Sequence, residues 1–187
     1  MRAEYENVLD DHLGKIHFTY VNTWDELLPA HWHEHLEIIY VLGGEITASI
    51  NDVSYELEKG DIFLVNSNDI HYTHTHEDAR YYLLQIPPVH LERISAKWEG
   101  LKFQEFIRSK SADACVQGEQ LENVQGKGLV EMRENRKSTN RADDLYDQLR
   151  DVFRKIAGFY EEKKEGYHLL VLSAVYRLLY FLYTEGI

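Results

Sequence analysis

The stretch HWHEHLEIIYVLGGEITASINDVSYELEKGDIFLVNSNDIH, residues 31–71, decides the fold. It opens on His31-Trp32-His33, with Glu37 close behind, and ends on His71. Histidines at i and i+2 point the same way from an extended strand. A carboxylate four residues on, past a bend, can return to that face. His71 arrives after further strands and the Gly60-Asp61 turn. Three imidazoles and one carboxylate meeting inside a small β shell make a pocket for a metal, an anion or a polyol.

Outward from this stretch, short strands alternate with turns. Lys15–Asn22 alternates, with Ile16, Phe18 and Tyr20 on one face. Leu36–Leu42 is a strongly apolar β run closed by Gly43-Gly44. Glu45–Ile50 and Val53–Leu57 flank Asn51-Asp52, a hairpin signal. Ile62–Val65 follows the next turn. Asn66–Asp69 turns again before Ile70-His71, and Ala79–Ile86 runs up to Pro87-Pro88, which cannot continue a ladder. Many short strands at regular spacing predict a sandwich or barrel. If Glu37 faces inward, Ile39 and Val41 do too. Leu36, Ile38, Tyr40 and Leu42 then face the other way.

After Pro88 the pattern becomes helical. His90–Ile94 and Gly100–Ser109 read as short helices, and Asp113–Gly128 as loop plus part of a helix. From Arg141, Leu145, Leu149, Val152, Phe153, Ile156 and Tyr160 form one apolar stripe, with Thr139 or Asn140 as N-cap. Glu161–Gly166 is a charged stop. Tyr167–Thr184 is apolar nearly all round and needs cover on more than one side. The expected organisation is an arm (1–14), a barrel (15–90), connecting short helices and loops (91–140) and a helical dimerisation hairpin (141–187). Leu172, Val175, Leu179 and Leu182 are the expected homodimer surface.

The 187 residues carry a net charge of −12, all of it in residues 1–88, where 4 Lys/Arg face 16 Asp/Glu. Nucleic-acid binding needs a basic footprint, and neither half offers one. The start lacks the apolar core of a signal peptide, and no stretch is long and apolar enough to span a bilayer. A single cysteine, Cys115, excludes an internal disulfide framework and fits a reducing, cytoplasmic compartment.

The run 31–71 resembles the cupin-type sensory domain of AraC/XylS-family transcription regulators. The first cupin motif stands as His31-x-His33-x3-Glu37-x6-Gly44, and the second as Gly60-x5-Asn66-x-Asn68-x2-His71. Asp25 replaces a glycine of the family pattern, and Asn66 and Asn68 replace its usual proline and glycine. The resemblance implies a mainly β fold: a cupin-like double-stranded β-barrel (jelly roll) followed by a C-terminal helical hairpin. It also implies a ligand-sensing, dimerising domain rather than an enzyme. DNA would be contacted only through helix-turn-helix motifs, which are not among these residues. The sequence would then be the sensor part of a regulator, or a stand-alone homologue.

His31, His33, Glu37 and His71 fill the four metal-ligand positions of that pattern, suited to Zn, Fe, Mn or Ni. The alternative is a metal-free set of wall residues that hydrogen-bond each other or an organic effector. Trp24, Trp32, Tyr72 and Tyr82 are candidates to stack on a sugar or related metabolite, against plain core packing. His35, His74 and His76 are expected at the rim or surface. The rival function is a small metal-dependent cupin enzyme, an isomerase or dioxygenase, with Glu37 as general base.

Overall fold

The computed structural model describes residues 3–8, 15–95, 98–108 and 131–185, with side chains in the long helix from residue 144 onward. The described residues contain ten strands: β1 (Glu4–Tyr5), β2 (His17–Thr23), β3 (Leu27–Trp32), β4 (Leu36–Gly43), β5 (Ile46–Ile50), β6 (Val53–Leu57), β7 (Ile62–Val65), β8 (His71–Thr75), β9 (Ala79–Ile86) and β10 (Phe106–Ile107). They form two five-stranded sheets, ordered β1-β3-β8-β5-β6 and β10-β7-β4-β9-β2. All pairings are antiparallel except β1 with β3. The fold is mainly β, a cupin-like double-stranded shell with a helical end. Asn51 (φ 47°) and Asp52 (φ 70°) both take the left-handed conformation that a two-residue β5–β6 hairpin requires.

The shell interior and the helix interface are separate cores, and β4 belongs to both. Ile39 and Val41 face inward with Ile46, Ile50, Phe63 and Tyr81. Leu36, Ile38 and Tyr40 face outward, into a larger cluster shared with the helices. This is the alternation expected from the sequence. On β2, Phe18 is buried as expected, but Tyr20 is 52% exposed, its ring edge meeting Tyr82 beyond the rim of the helix contact.

Two helices cover that outer face: α2 (Glu131–Glu162) and α3 (Tyr167–Glu185). Leu145, Leu149, Val152, Phe153 and Ile156 are buried, as their spacing predicts. Phe153 meets Tyr40 at 5.5 Å between ring centroids, and Tyr160 meets Phe18 at 4.8 Å. Gly166, at φ 77°, opens the path from α2 into α3.

Three expectations change. Helix α2 begins ten residues before Arg141, so neither Thr139 nor Asn140 caps it. After α1 (Pro88–Leu91) and a 3-10 turn at Trp98–Gly100, residues 101–108, the described remainder of the expected Gly100–Ser109 helix, contain no helix. Its Phe106–Ile107 pairs with β7 and Leu64 N–H donates to Glu105 O, so an unfilled sheet edge captures the segment. The Asp113–Gly128 expectation lies outside the described residues. Val175, Leu179 and Leu182 are 0% exposed within the chain's own core, with Leu172 packed beside them. A helix laid on a sheet and a second helix spends those leucines at home. The outer flank of α3 instead carries Leu169, Tyr180 and Tyr183.

Candidate functional site

Five polar side chains meet at one end of the shell. His31 is the last residue but one of β3, whose ladder with β8 is irregular between Leu28 and His31, around Pro29. That irregularity re-aims the strand end and sets His31 opposite His71. His33 lies in the turn into β4. Glu37 sits on β4 opposite Gln85 of β9. His33, Glu37, His71 and Gln85 are all buried, and His31 is nearly so.

One ligand atom from each of His31, His33 and His71 lies within 4.8 Å of the others. His33 Nε2 stands 3.1 Å from Glu37 Oε2, and His71 Nε2 is 3.9 Å from Glu37 Oε1. Gln85 Nε2 donates to Glu37 Oε2 at 2.9 Å.

The opposite ring nitrogens fix the tautomers. His31 Nδ1 bonds Pro29 O at 2.8 Å, His33 Nδ1 bonds His35 O at 3.1 Å, and His71 Nδ1 bonds Asp69 O at 3.0 Å. A carbonyl only accepts, so each Nδ1 carries the proton. Each ring therefore turns its Nε2 toward the cluster, the arrangement second-shell partners impose on metal-binding histidines; on His33 that nitrogen donates to Glu37 until a cation takes the proton's place. His71 Nε2 is buried and has no hydrogen-bond partner among the described residues. Three convergent ring nitrogens, one of them the orphaned His71 Nε2, and a carboxylate fit a divalent cation.

The electrostatics separate the members. Burial disfavours the charged form of Glu37, yet the His33 hydrogen bond, the His71 and His33 charges and the Gln85 bond outweigh it and lower its pKa to about 2. Burial also opposes charging His33, but the hydrogen bond to Glu37 and the charges of Glu37 and Glu6 raise its pKa. His71 is lowered, chiefly by burial, against the pull of Glu37. The result is an ion pair between His33 and Glu37 beside a neutral His71.

The expected aromatic wall is not brought to this cluster. Trp24 is 66% exposed. Trp32 packs on Tyr5. Tyr72 alternates with the inward His71 and Thr73, so it faces out and lines a cleft with Leu27 and Ile70. Tyr82 lies opposite Tyr40 on the helix-covered face and lines clefts between sheet and α2. His74 and His76 also face out; His74 Nε2 bonds Asp25 Oδ1 and His76 Nε2 bonds Thr47 Oγ1, both at 2.9 Å.

Two residues near the cluster were not singled out from sequence. Gln85 had a signal: it is the polar break among the inward positions Ala79, Tyr81, Leu83 and Gln85 of β9. Glu6 had none, since its place depends on a strand pairing between residues 27 positions apart.

A curated Bacillus subtilis (strain 168) protein, the uncharacterized HTH-type transcriptional regulator YdeC, is 30% identical over 63 residues, 33% of this chain and 22% of its own length. Among solved structures, KdgF from Halomonas sp. is 24% identical over 38% of this chain and 69% of its own, with TM-score 0.37. An RmlC-like cupin from Shewanella frigidimarina NCIMB 400 is 20% identical over 38% and 66%, with TM-score 0.37. Bacillus subtilis oxalate decarboxylase, described with Mn(II) centres, is 20% identical over 38% and 21%, with TM-score 0.36. Likenesses this partial carry no inference about chemistry. The model of the AraC-like ligand binding domain, in contrast, matches residues 14–179, the shell and most of the helical pair together. This chain belongs to the family of AraC-like ligand binding domains.

Proposed function

We propose that this chain is the effector-sensing and dimerisation part of a transcription regulator working in the cytoplasm. A small molecule would bind at His31, His33, Glu37 and His71, and DNA would be contacted through an attached helix-turn-helix unit. The observation that carries this reading is the gathering of the buried ionisable side chains His33, Glu37 and His71 at one end of a shell whose interior cluster is apolar. A shell that needed only a core would place aliphatic residues there, because burying charge costs free energy. Binding would favour one arrangement of the arm and helices over another by differential affinity. A second copy would dock on the α3 flank of Leu169, Tyr180 and Tyr183, which fall on one side of the helix.

The test is the thermal midpoint against sugars, small carboxylic acids and divalent cations. An effector raises the midpoint of the wild type and not that of His71→Ala. A wild-type midpoint unmoved by all three classes overturns the reading.

The convergent Nε2 lone pairs favour a more specific second reading, in which the cluster holds a divalent cation such as Zn, Fe, Mn or Ni. Stoichiometric metal in protein purified without added metal, lost in His31→Ala and His71→Ala, would establish it. Catalysis has less support: a carboxyl held at about 2 makes Glu37 a weak general base near neutrality.

A further inference from the structure

The two-residue strand β1 lies parallel to β3, with Glu4 beside His31 and Tyr5 beside Trp32. Glu6 N–H donates to Trp32 O at 3.0 Å, and the Tyr5 ring meets the Trp32 ring edge-on at 4.9 Å. These contacts hold Glu6 next to the histidine cluster. Its Oε2 stands 3.7 Å from His31 Nε2 and 3.8 Å from His33 Nε2.

Those separations are too long for hydrogen bonds. They fall among the other separations of the cluster, 3.1 Å and 3.9 Å from Glu37 to His33 and His71. Two donors bound at about 2.0–2.2 Å to one cation stand roughly 3–4 Å apart, depending on the angle between them. Charge points the same way. The cluster and Glu6 place two carboxylates among three imidazoles, and once a cation displaces the His33 proton the sum is about two negative charges, which a divalent cation neutralises and an anionic ligand would aggravate.

We infer that Glu6 is a further donor of this cluster, supplied by the N-terminal arm, so that one divalent cation binds the shell and the arm together. The inference rests on the cation reading given above. Glu37 is buried, whereas the Glu6 side chain is 44% exposed. Without a cation, Glu6 therefore leaves the cluster at little cost in solvation, and among the described residues β1 is held by its short pairing with β3. With a cation, the arm is fastened next to Trp32, and the site is complete only while β1 is docked.

The experiment is titration of Zn²⁺ and Ni²⁺ into the 187-residue chain by calorimetry, with amide hydrogen exchange of residues 4–8 in parallel. The wild type should bind one ion and slow exchange at Tyr5 and Glu6. Glu6→Gln should weaken binding tenfold or more and abolish the added protection. Glu4→Gln, exposed on the same strand, should stay within twofold of wild type, which separates a donor from a general negative field. Wild-type affinity in Glu6→Gln, with no cation-dependent protection of the arm in either protein, overturns the inference and leaves the cation reading intact. Absence of binding to the wild type overturns both.

Discussion

Gln85 lies opposite Glu37 across the β4–β9 ladder, and its side-chain amide donates to the same Glu37 oxygen that faces His33. A single buried oxygen thus has two donors, one neutral and one cationic. Replacing Gln85 with Leu removes the neutral donor from a fully enclosed carboxylate. The expected loss is about 1–3 kcal/mol in urea unfolding. A stability equal to wild type would mean that Glu37 finds a substitute partner.

The pair His33–Glu37 also sets a pH dependence. The Glu37 pKa falls from 4.5 to about 2 on folding, so its contribution is complete above 4.5 and is lost as pH falls toward 2. The His33 pKa is raised above 6.5, so its contribution is complete below 6.5 and fades as pH climbs past it. His71, lowered by burial, acts the other way below 6.5. The gap in stability between wild type and Glu37→Gln should therefore be wide above pH 4.5 and narrow steadily below it. A gap independent of pH from 5 to 3 would contradict this.

Asp61 is buried and accepts from Glu58 N–H and from both Nε and a terminal nitrogen of Arg108, at 2.7, 2.7 and 2.6 Å. This bidentate pair ties the segment carrying β10 to the β6–β7 turn. Asp61→Ala should cost about 3 kcal/mol in denaturant unfolding and expose Arg108 to trypsin. Arg108→Ala leaves a buried carboxylate unneutralised and should cost a comparable amount.

Gly44 sits at φ +70°, and a Cβ there would stand 2.5 Å from Asp78 O and 2.7 Å from the Ala79 backbone. Gly44→Ala should therefore destabilise by about 2 kcal/mol or more, through both strain and collision. Gly100→Ala, where a Cβ meets nothing within 4 Å, is the control and should be near neutral.

The two sides of α3 should respond differently to charge. Leu179→Glu places a carboxylate in a site 0% exposed and should leave the chain unfolded or insoluble. Tyr180→Glu, at a site 61% exposed, should keep the circular dichroism spectrum and lower the sedimentation mass of any dimer. An unchanged dimer in Tyr180→Glu would move the contact off this flank.

The strands were legible because parity is a local property. Once Glu37 is set inward, Ile39 and Val41 follow, and Leu36, Ile38 and Tyr40 must face the helices. The same rule, applied at Tyr72 beside inward His71, places that ring outside and removes it from the cluster. The histidine set was legible from the motif spacing. What sequence could not show depends on distant partners. Residues 100–109 carry no strand signal strong enough to reveal that β7 needs an edge neighbour, and β1 meets β3 only after the chain has closed. The leucines of α3 were legible as apolar, but not as already covered.

Strand β4 is one ribbon with two tenants. Glu37 hangs on one side, and the neighbouring Ile38 and Tyr40 press on Phe153 and the rest of the helical layer on the other. A tug on Glu37 has no soft material to absorb it, since close-packed interiors transmit strain. A ligand drawn to Glu37, as proposed above, would therefore press on the helical layer through the strand itself, with no joint between the two.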